Sequence, residues 1–509
     1  FLAEPHHRDD GDVRHEGLRG DRRVRMKKAL LLAAIISLLA LTAAPAAQAA
    51  APYEAYTYNY YRDAVALPAP FLPERTVDGL RLGVGDFKMP NDIYVTKDGI
   101  VYILDSGNNR IIVLDENWNV TRIIDGFDNN GTSDTFGNPN GIFVAEDGEI
   151  YIADTDKRRV VVLTEDGKLV KIVQNPQSEV LPDNFEFAPL RVTADRADRI
   201  FVIARGVYEG IMQFDEKGEF LGYVGTIKVQ PSAADRLWRW LATDAQKAQM
   251  VLFIPTEFSS LDIDHKGFVY ATNIDVGSTE TIKRINPLGQ DVIKRFGHYP
   301  NVGDIRYRIY GNNSGPSKLT DIKVIGDGMY VVLDSNRARL FTYNDEGELL
   351  YAFGGRGTQL GVFNTPVAVE WQKDKLLVLD RGKNNIVVFK PTRFGRLVHE
   401  ATALHYNGNT EAAVELWKEV LRLNSNYDIA YLGIGKSLLM AKENKEAMEY
   451  FKLGMSRKYY SIAFKRYRRE VMQEHFGTFM TTVIVLIAAF VAFRIARRVR
   501  LGRSAGHEA

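Results

Sequence analysis

Two sets of side chains in this sequence have the types and spacing to do chemistry. The first is Asn91, Asp92, Asn140, Arg191, Ser260 and Asp321, which fall at matching points of a recurring strand pattern and differ from one copy to the next. Carboxylates and amides gathered in this way offer the oxygen donors that a hard divalent cation takes. The metal candidates are Asp92 and Asp321, with calcium the ion they would suit, but no Glu stands at these points and Arg191 would repel a cation. Both signs of charge, with several hydrogen-bonding groups, suit a sugar or a peptide better. No catalytic residue, metal or resident cofactor is therefore assigned. The second set is Asp105, Asp154, Asp334 and Asp380, each closing an apolar run. A catalytic carboxylate would be singular, whereas this one is periodic, so these four are expected to hold turns by accepting from backbone amides.

The elements that must position these residues form a repeat of about fifty residues. Phe87 to Asp115, "FKMPNDIYVTKDGIVYILDSGNNRIIVLD", is matched by Phe136 to Thr164, "FGNPNGIFVAEDGEIYIADTDKRRVVVLT", and looser copies begin at Phe187, Phe258, Leu319 and Pro366. Each copy has an alternating strand, a hairpin signal, a second apolar strand, a polar turn and a third strand. Small sheets with two apolar faces must stack on one another, and closing the stack into a ring removes its exposed ends. This predicts a mainly-β fold, a six-bladed propeller over residues 75–392, with Arg75 to Gly85 as a strand that clasps the ring. The Pro-x-x-Ile, Asp-Gly, Tyr-Ile-x-Asp-Ser-Gly-Asn-Asn-Arg-Ile pattern resembles the NHL repeat.

That resemblance specifies architecture far more than function, because such propellers serve as enzymes, lyases and binding modules. Similarity to gluconolactonase-like propellers would imply a cation held by inward Glu, Asn and Asp, which Asn91, Asp92, Asn140 and Asp321 approximate only in part. Amidating-lyase relatives need several histidines around zinc. His265 and His298 are the histidines of this region, so that chemistry is not expected. There is no GxSxG, HExxH or phosphate-loop signature.

The remaining chain reads as an export and membrane layout. Net charge is +1, which gives no electrostatic case for nucleic acid, and the absence of Cys excludes disulfides and thiolate metal sites. Met26-Lys27-Lys28, an apolar run and Ala47-Gln48-Ala49 read as a signal peptide over 26–49, preceded by a non-native segment, 1–25, and followed by a linker, 50–74. A helical insertion is expected at 232–253, rich in Trp and Leu.

After Pro391 the period becomes helical. Asn409, Glu411 and Ala412 recur at Asn444, Glu446 and Ala447, a 35-residue offset that resembles tetratricopeptide repeats over 393–475, with Leu416 and Phe451 in the grooves. Uncharged Phe476 to Phe493 predicts a transmembrane helix over 476–495, and Arg494, Arg497, Arg498, Arg500 and Arg503 place the 496–509 tail in the cytoplasm. The expectation is a bacterial cell-membrane protein with one span and its large domain outside. It would serve as a binding or scaffold module for a protein, peptide or carbohydrate rather than as an enzyme. The alternatives are a gluconolactonase-like hydrolase and an accessory subunit of a membrane transport complex.

Overall fold

A computed structural model describes residues 51–178, 181, 184–226, 257–274 and 278–505. The expected upstream segment, signal peptide and helical insertion lie outside the described residues. Six antiparallel sheets form a six-bladed propeller. In the first blade the strands are Asp92–Val95, Val101–Asp105, Arg110–Leu114 and Val120–Ile124. The second begins at Gly141–Val144 and repeats this order. Middle strands such as Val101–Asp105 and Ile150–Asp154 are buried along their whole length. The outer strand Val120–Ile124 alternates in exposure. The difference follows from stacking: inner strands are covered by neighbouring blades on both faces, outer ones meet water. The Asp-Gly pairs turn the first strand into the second, with Gly99 and Gly148 at φ of +85° and +91°, where a side chain would be strained.

Ring closure comes from the far end of the chain. Phe71–Asp78 pairs antiparallel with Asn385–Pro391 and supplies the fourth strand of the sixth blade, in a register running from Phe71↔Pro391 to Asp78↔Asn385. Only Arg75 to Asp78 of the expected clasp take part. The strand stops at a turn through Gly79, Gly83 and Gly85, the last two at positive φ. The expected linker over 50–74 is also corrected. Ala55–Tyr58 and Ala64–Leu67 form a hairpin that extends the fifth blade beyond Leu349–Gly354, making it six-stranded. Tyr56, Thr57, Tyr58 and Val65 are strand-forming, and the open outer edge of the blade gives them a partner. Among the described residues the fourth blade has three strands, Phe258–Ile263, Val269–Asn273 and Ile282–Ile285.

Five helices follow: α1 (Arg393–Tyr406), α2 (Thr410–Leu423), α3 (Asp428–Met440), α4 (Asn444–Leu453) and α5 (Arg457–Ala505). Thr392 caps α1, its hydroxyl accepting from the Gly395 amide at 3.2 Å. The first four form a tetratricopeptide-like pair of hairpins whose register differs from the expectation by one residue. The buried positions are Thr410, Ala413 and Trp417, matched by Asn444, Ala447 and Phe451, each 34 residues on. Ala412 is exposed and Leu416 half-buried, because one residue of slip rotates a helix by about 100°. Gly433 and Gly435 admit the rings of Trp417 and Phe451, where a Cβ would lie 2.4 and 2.7 Å from the ring atoms. Gly433→Val is expected to cost about 1–3 kcal/mol through overpacking, read as a lowered denaturation midpoint.

These helices are packed onto the propeller. Phe394, Val398, Trp417, Val420 and Tyr427 share one core with Phe71, Tyr351, Phe353 and Phe389 of the last two blades. Tyr427 donates to the Leu350 carbonyl at 2.8 Å. The stretch from Arg457 to Arg498 is long and apolar enough to cross a membrane, and the apolar window within it is not buried in the protein.

Candidate ligand site in the central channel

The innermost strands place successive side chains at successive depths in the channel. At the mouth, Asn91, Asn140, Ser259 and Thr320 surround a cavity of about 310 Å³, joined by Ser335, Thr365 and Arg381. The Asn91 amide donates to Asn140 at 3.1 Å, and Arg381 donates to the Asn91 carbonyl oxygen at 3.0 Å. Asn140 also donates to the Thr155 hydroxyl at 2.9 Å, so its orientation is fixed from both sides.

One residue deeper stand Asp92, Arg191, Ser260 and Asp321. Arg191 crosses the channel from the third blade: its guanidinium meets Asp92 of the first blade at 2.9 Å and donates to the Asn140 carbonyl at 2.7 Å. The remaining Asp92 bonds come from the amides of Ile93 and Ile142, at 3.1 and 2.9 Å. Asp321 accepts from the Ser260 hydroxyl at 2.6 Å and from the Val369 amide at 2.7 Å. Each carboxylate thereby ties its own strand to the neighbouring blade. Burial raises the Asp92 carboxyl above the ordinary range against the pull of Arg191, and it pushes Asp321 up to about 6. Calcium does not fit here, because a cation at Asp92 and Asp321 would have to displace the guanidinium that already holds Asp92. Among the described residues no group of three or more His, Asp or Glu is placed to hold a metal.

A third layer, two residues further along the same strands, was missed in the sequence. Lys323 lies 2.8 Å from Glu370 and 3.6 Å from Asp262, with its ammonium 4.8 Å from the centre of the Tyr94 ring. The period of two along a strand could have revealed it. Burial acts to lower the Lys323 ammonium, but Asp262 and Glu370 hold it above its usual value. Burial pushes Glu370 up to about 8, against the pull of Lys323. A carboxyl raised in the folded state is lost as a source of stability when pH rises through its folded value. Stability should therefore fall from the ordinary glutamate range up to about pH 8, and Glu370→Gln should flatten that slope in denaturation curves. Between Arg191 and this layer lies a cavity of only about 30 Å³, against about 310 Å³ at the mouth.

The four repeated aspartates sit outside the channel and are fully buried. Asp105 accepts from the Lys88 amide at 2.7 Å and Asp154 from the Gly137 amide at 2.6 Å. Asp334 takes the Lys318 amide at 2.9 Å, and Asp380 takes those of Asn364 and Thr365 at 2.7 and 2.8 Å. Each carboxylate thus pins the end of a second strand to the lead-in of its own repeat. Asp105 and Asp154 are further paired with Arg110 and Arg159, both at 2.8 Å.

The mouth and the helices lie at opposite ends of the channel. Asn91 precedes the first strand of its blade, and Ser335 and Arg381 follow second strands. The helices bond to the turns at the other end: Asn407 donates to Asp327 at 2.9 Å, and Lys436 pairs with Glu346 at 2.5 Å. The class defined by this fold and site is a six-bladed β-propeller whose described helices pack at the end away from the mouth, with one membrane-length apolar helix.

Comparison with known proteins adds the repeat type. The NHL-repeat profile matches residues 87–114, the core of the first blade. No curated protein matches the sequence. Among solved structures the chain is similar to virginiamycin B lyase from Staphylococcus aureus, at 12% identity and a TM-score of 0.38, covering 62% of this chain and 99% of that one. A streptogramin B lyase is similar at 12% identity and a TM-score of 0.38, covering 67% and 98%. A Bacteroides thetaiotaomicron protein of unknown function gives 12% and 0.40, covering 66% and 76%. These likenesses assign no activity.

Proposed function

We propose that this chain is a membrane-tethered, extracytoplasmic binding module whose propeller offers its channel mouth to a protein, peptide or carbohydrate. The observation that carries the reading is the cavity of about 310 Å³ at the end of the channel away from the helices, walled by side chains that differ between blades. A unique ligand pose needs that loss of symmetry, because identical side chains from every blade would offer several equivalent poses. The export signal read at 26–49 and the arginines after the apolar run support an outside propeller and an inside tail. A gluconolactonase-like hydrolase would need a cation where Arg191 stands. Accessory service to a transport complex is a special case of the same binding role.

The test is affinity purification from cross-linked native membranes, comparing the wild type with Thr320→Trp, which fills the mouth. Partner recovery should drop with Thr320→Trp while the denaturation midpoint holds. Undiminished recovery would move recognition off the mouth.

A further inference from the structure

A second cavity, of about 260 Å³, lies where the fifth blade, its added hairpin, the 296–303 loop and the helices meet. Its walls are unusually aromatic: Tyr58, Tyr60, Phe296, Tyr299, Tyr343 and Tyr459 all contribute. Rings from separate segments converge there, with Tyr60 and His298 edge to face at 5.5 Å. Of the four carboxylate, guanidinium and ammonium groups that line the same space, Glu348 is already held by Lys436 and Asn344, at 3.6 and 2.9 Å. Asp428, in the first turn of α3, is half-buried and has no hydrogen bond or ion pair among the described residues. Arg457 and Lys458, in the first turn of α5, reach over the rings of Tyr60 and Phe296 at 5.3 and 3.6 Å and have no carboxylate partner among the described residues.

We propose that this cavity binds a neutral sugar ring. The chemistry of the lining favours that class. A wholly apolar ligand would shield Asp428 from water without replacing its lost hydrogen bonds. A cation would meet Arg457 and Lys458, and an anion would meet Asp428. A neutral polyhydroxylated ring offers C–H faces to the aromatic walls, donates hydroxyls to the carboxylate and accepts from the two cations. The volume suits one such ring, at the small end of ligand pockets. Burial raises the Asp428 carboxyl, consistent with a group whose water is already partly removed. The cavity is walled on one side by the propeller and on the other by Met455 to Tyr459. Occupancy would therefore join the propeller to the start of the helix that continues into the membrane-length segment.

The experiment is isothermal titration of the detergent-solubilised full chain with glucose, galactose, mannose and N-acetylglucosamine, with glucuronate and glucosamine as charged counterparts. At least one neutral sugar should saturate and bind about tenfold tighter than glucuronate and glucosamine. Asp428→Asn and Lys458→Gln should each weaken it about tenfold. Because Asp428 opens a helix, Lys458→Gln on the exposed first turn of α5 keeps the test separate from folding. Absence of saturable binding by all four neutral sugars, tighter binding of a charged counterpart, or full affinity in Lys458→Gln would overturn the proposal.

Discussion

Phe71→Ala is expected to destabilise the protein by about 3–5 kcal/mol, the cost of truncating a fully packed aromatic ring. Phe71 is 1% exposed and belongs to the strand that closes the ring. Its ring lies 5.5 Å from Phe353 of the fifth blade, 5.9 Å from Trp371 of the sixth and 5.9 Å from His399 of α1. One side chain therefore joins the closing strand, two blades and the helical layer, and its removal leaves a cavity bounded by elements that cannot collapse independently. Against a total stability of about 5–15 kcal/mol for a domain, such a loss is large. Urea denaturation of the detergent-solubilised chain would show a lower midpoint. A change under about 1 kcal/mol would mean that the closing strand does not hold the ring.

Arg191→Met should cost about 3–5 kcal/mol at neutral pH, because it leaves the buried Asp92 carboxylate without its counter-charge. Burial already raises Asp92 and Asp321, and removing the guanidinium raises both further. A carboxyl with a raised folded-state value stabilises most when protonated, so the penalty should shrink as pH falls. The double variant Arg191→Met/Asp92→Asn should recover much of the loss at neutral pH, since the stranded charge is gone. Denaturation midpoints of the single and double variants at two pH values measure both effects. A small, pH-independent change in Arg191→Met would place the guanidinium outside the role described.

The repeat was legible because stacking imposes one pattern on every blade: apolar middle strands, an Asp at the second strand's end and an Asp-Gly turn. Ala204 and Asn273 take the Asp position in the third and fourth blades, which is why those copies read more loosely. The mouth residues were legible for the opposite reason, since they break the repeat. Lys323, Asp262 and Glu370 obey the same alternation one step deeper, but their pairing spans three blades and has no local sign. Arg381 was hidden by its neighbour Asp380, which marks a turn while Arg381 reaches Asn91 of the adjacent first blade. The closing strand and the hairpin at Ala55–Leu67 pair with residues roughly three hundred positions away, so no window of sequence contains both partners. In the helices the one-residue slip between Ala412 and Ala413 follows from similar small residues standing side by side. Burial separates them, and burial is set by the helix and propeller faces they meet.

The proposed arrangement places the propeller outside the membrane, tethered by α5. The chain has no cysteine, so a single introduced thiol reports its own side of the membrane. Asp156, exposed in a turn at the mouth end of the second blade, and Arg498, beyond the apolar run, are the informative positions. A membrane-impermeant maleimide applied to intact cells should label Asp156→Cys, and should label Arg498→Cys only after permeabilisation. Labelling of Arg498→Cys in intact cells with protection of Asp156→Cys would contradict the account.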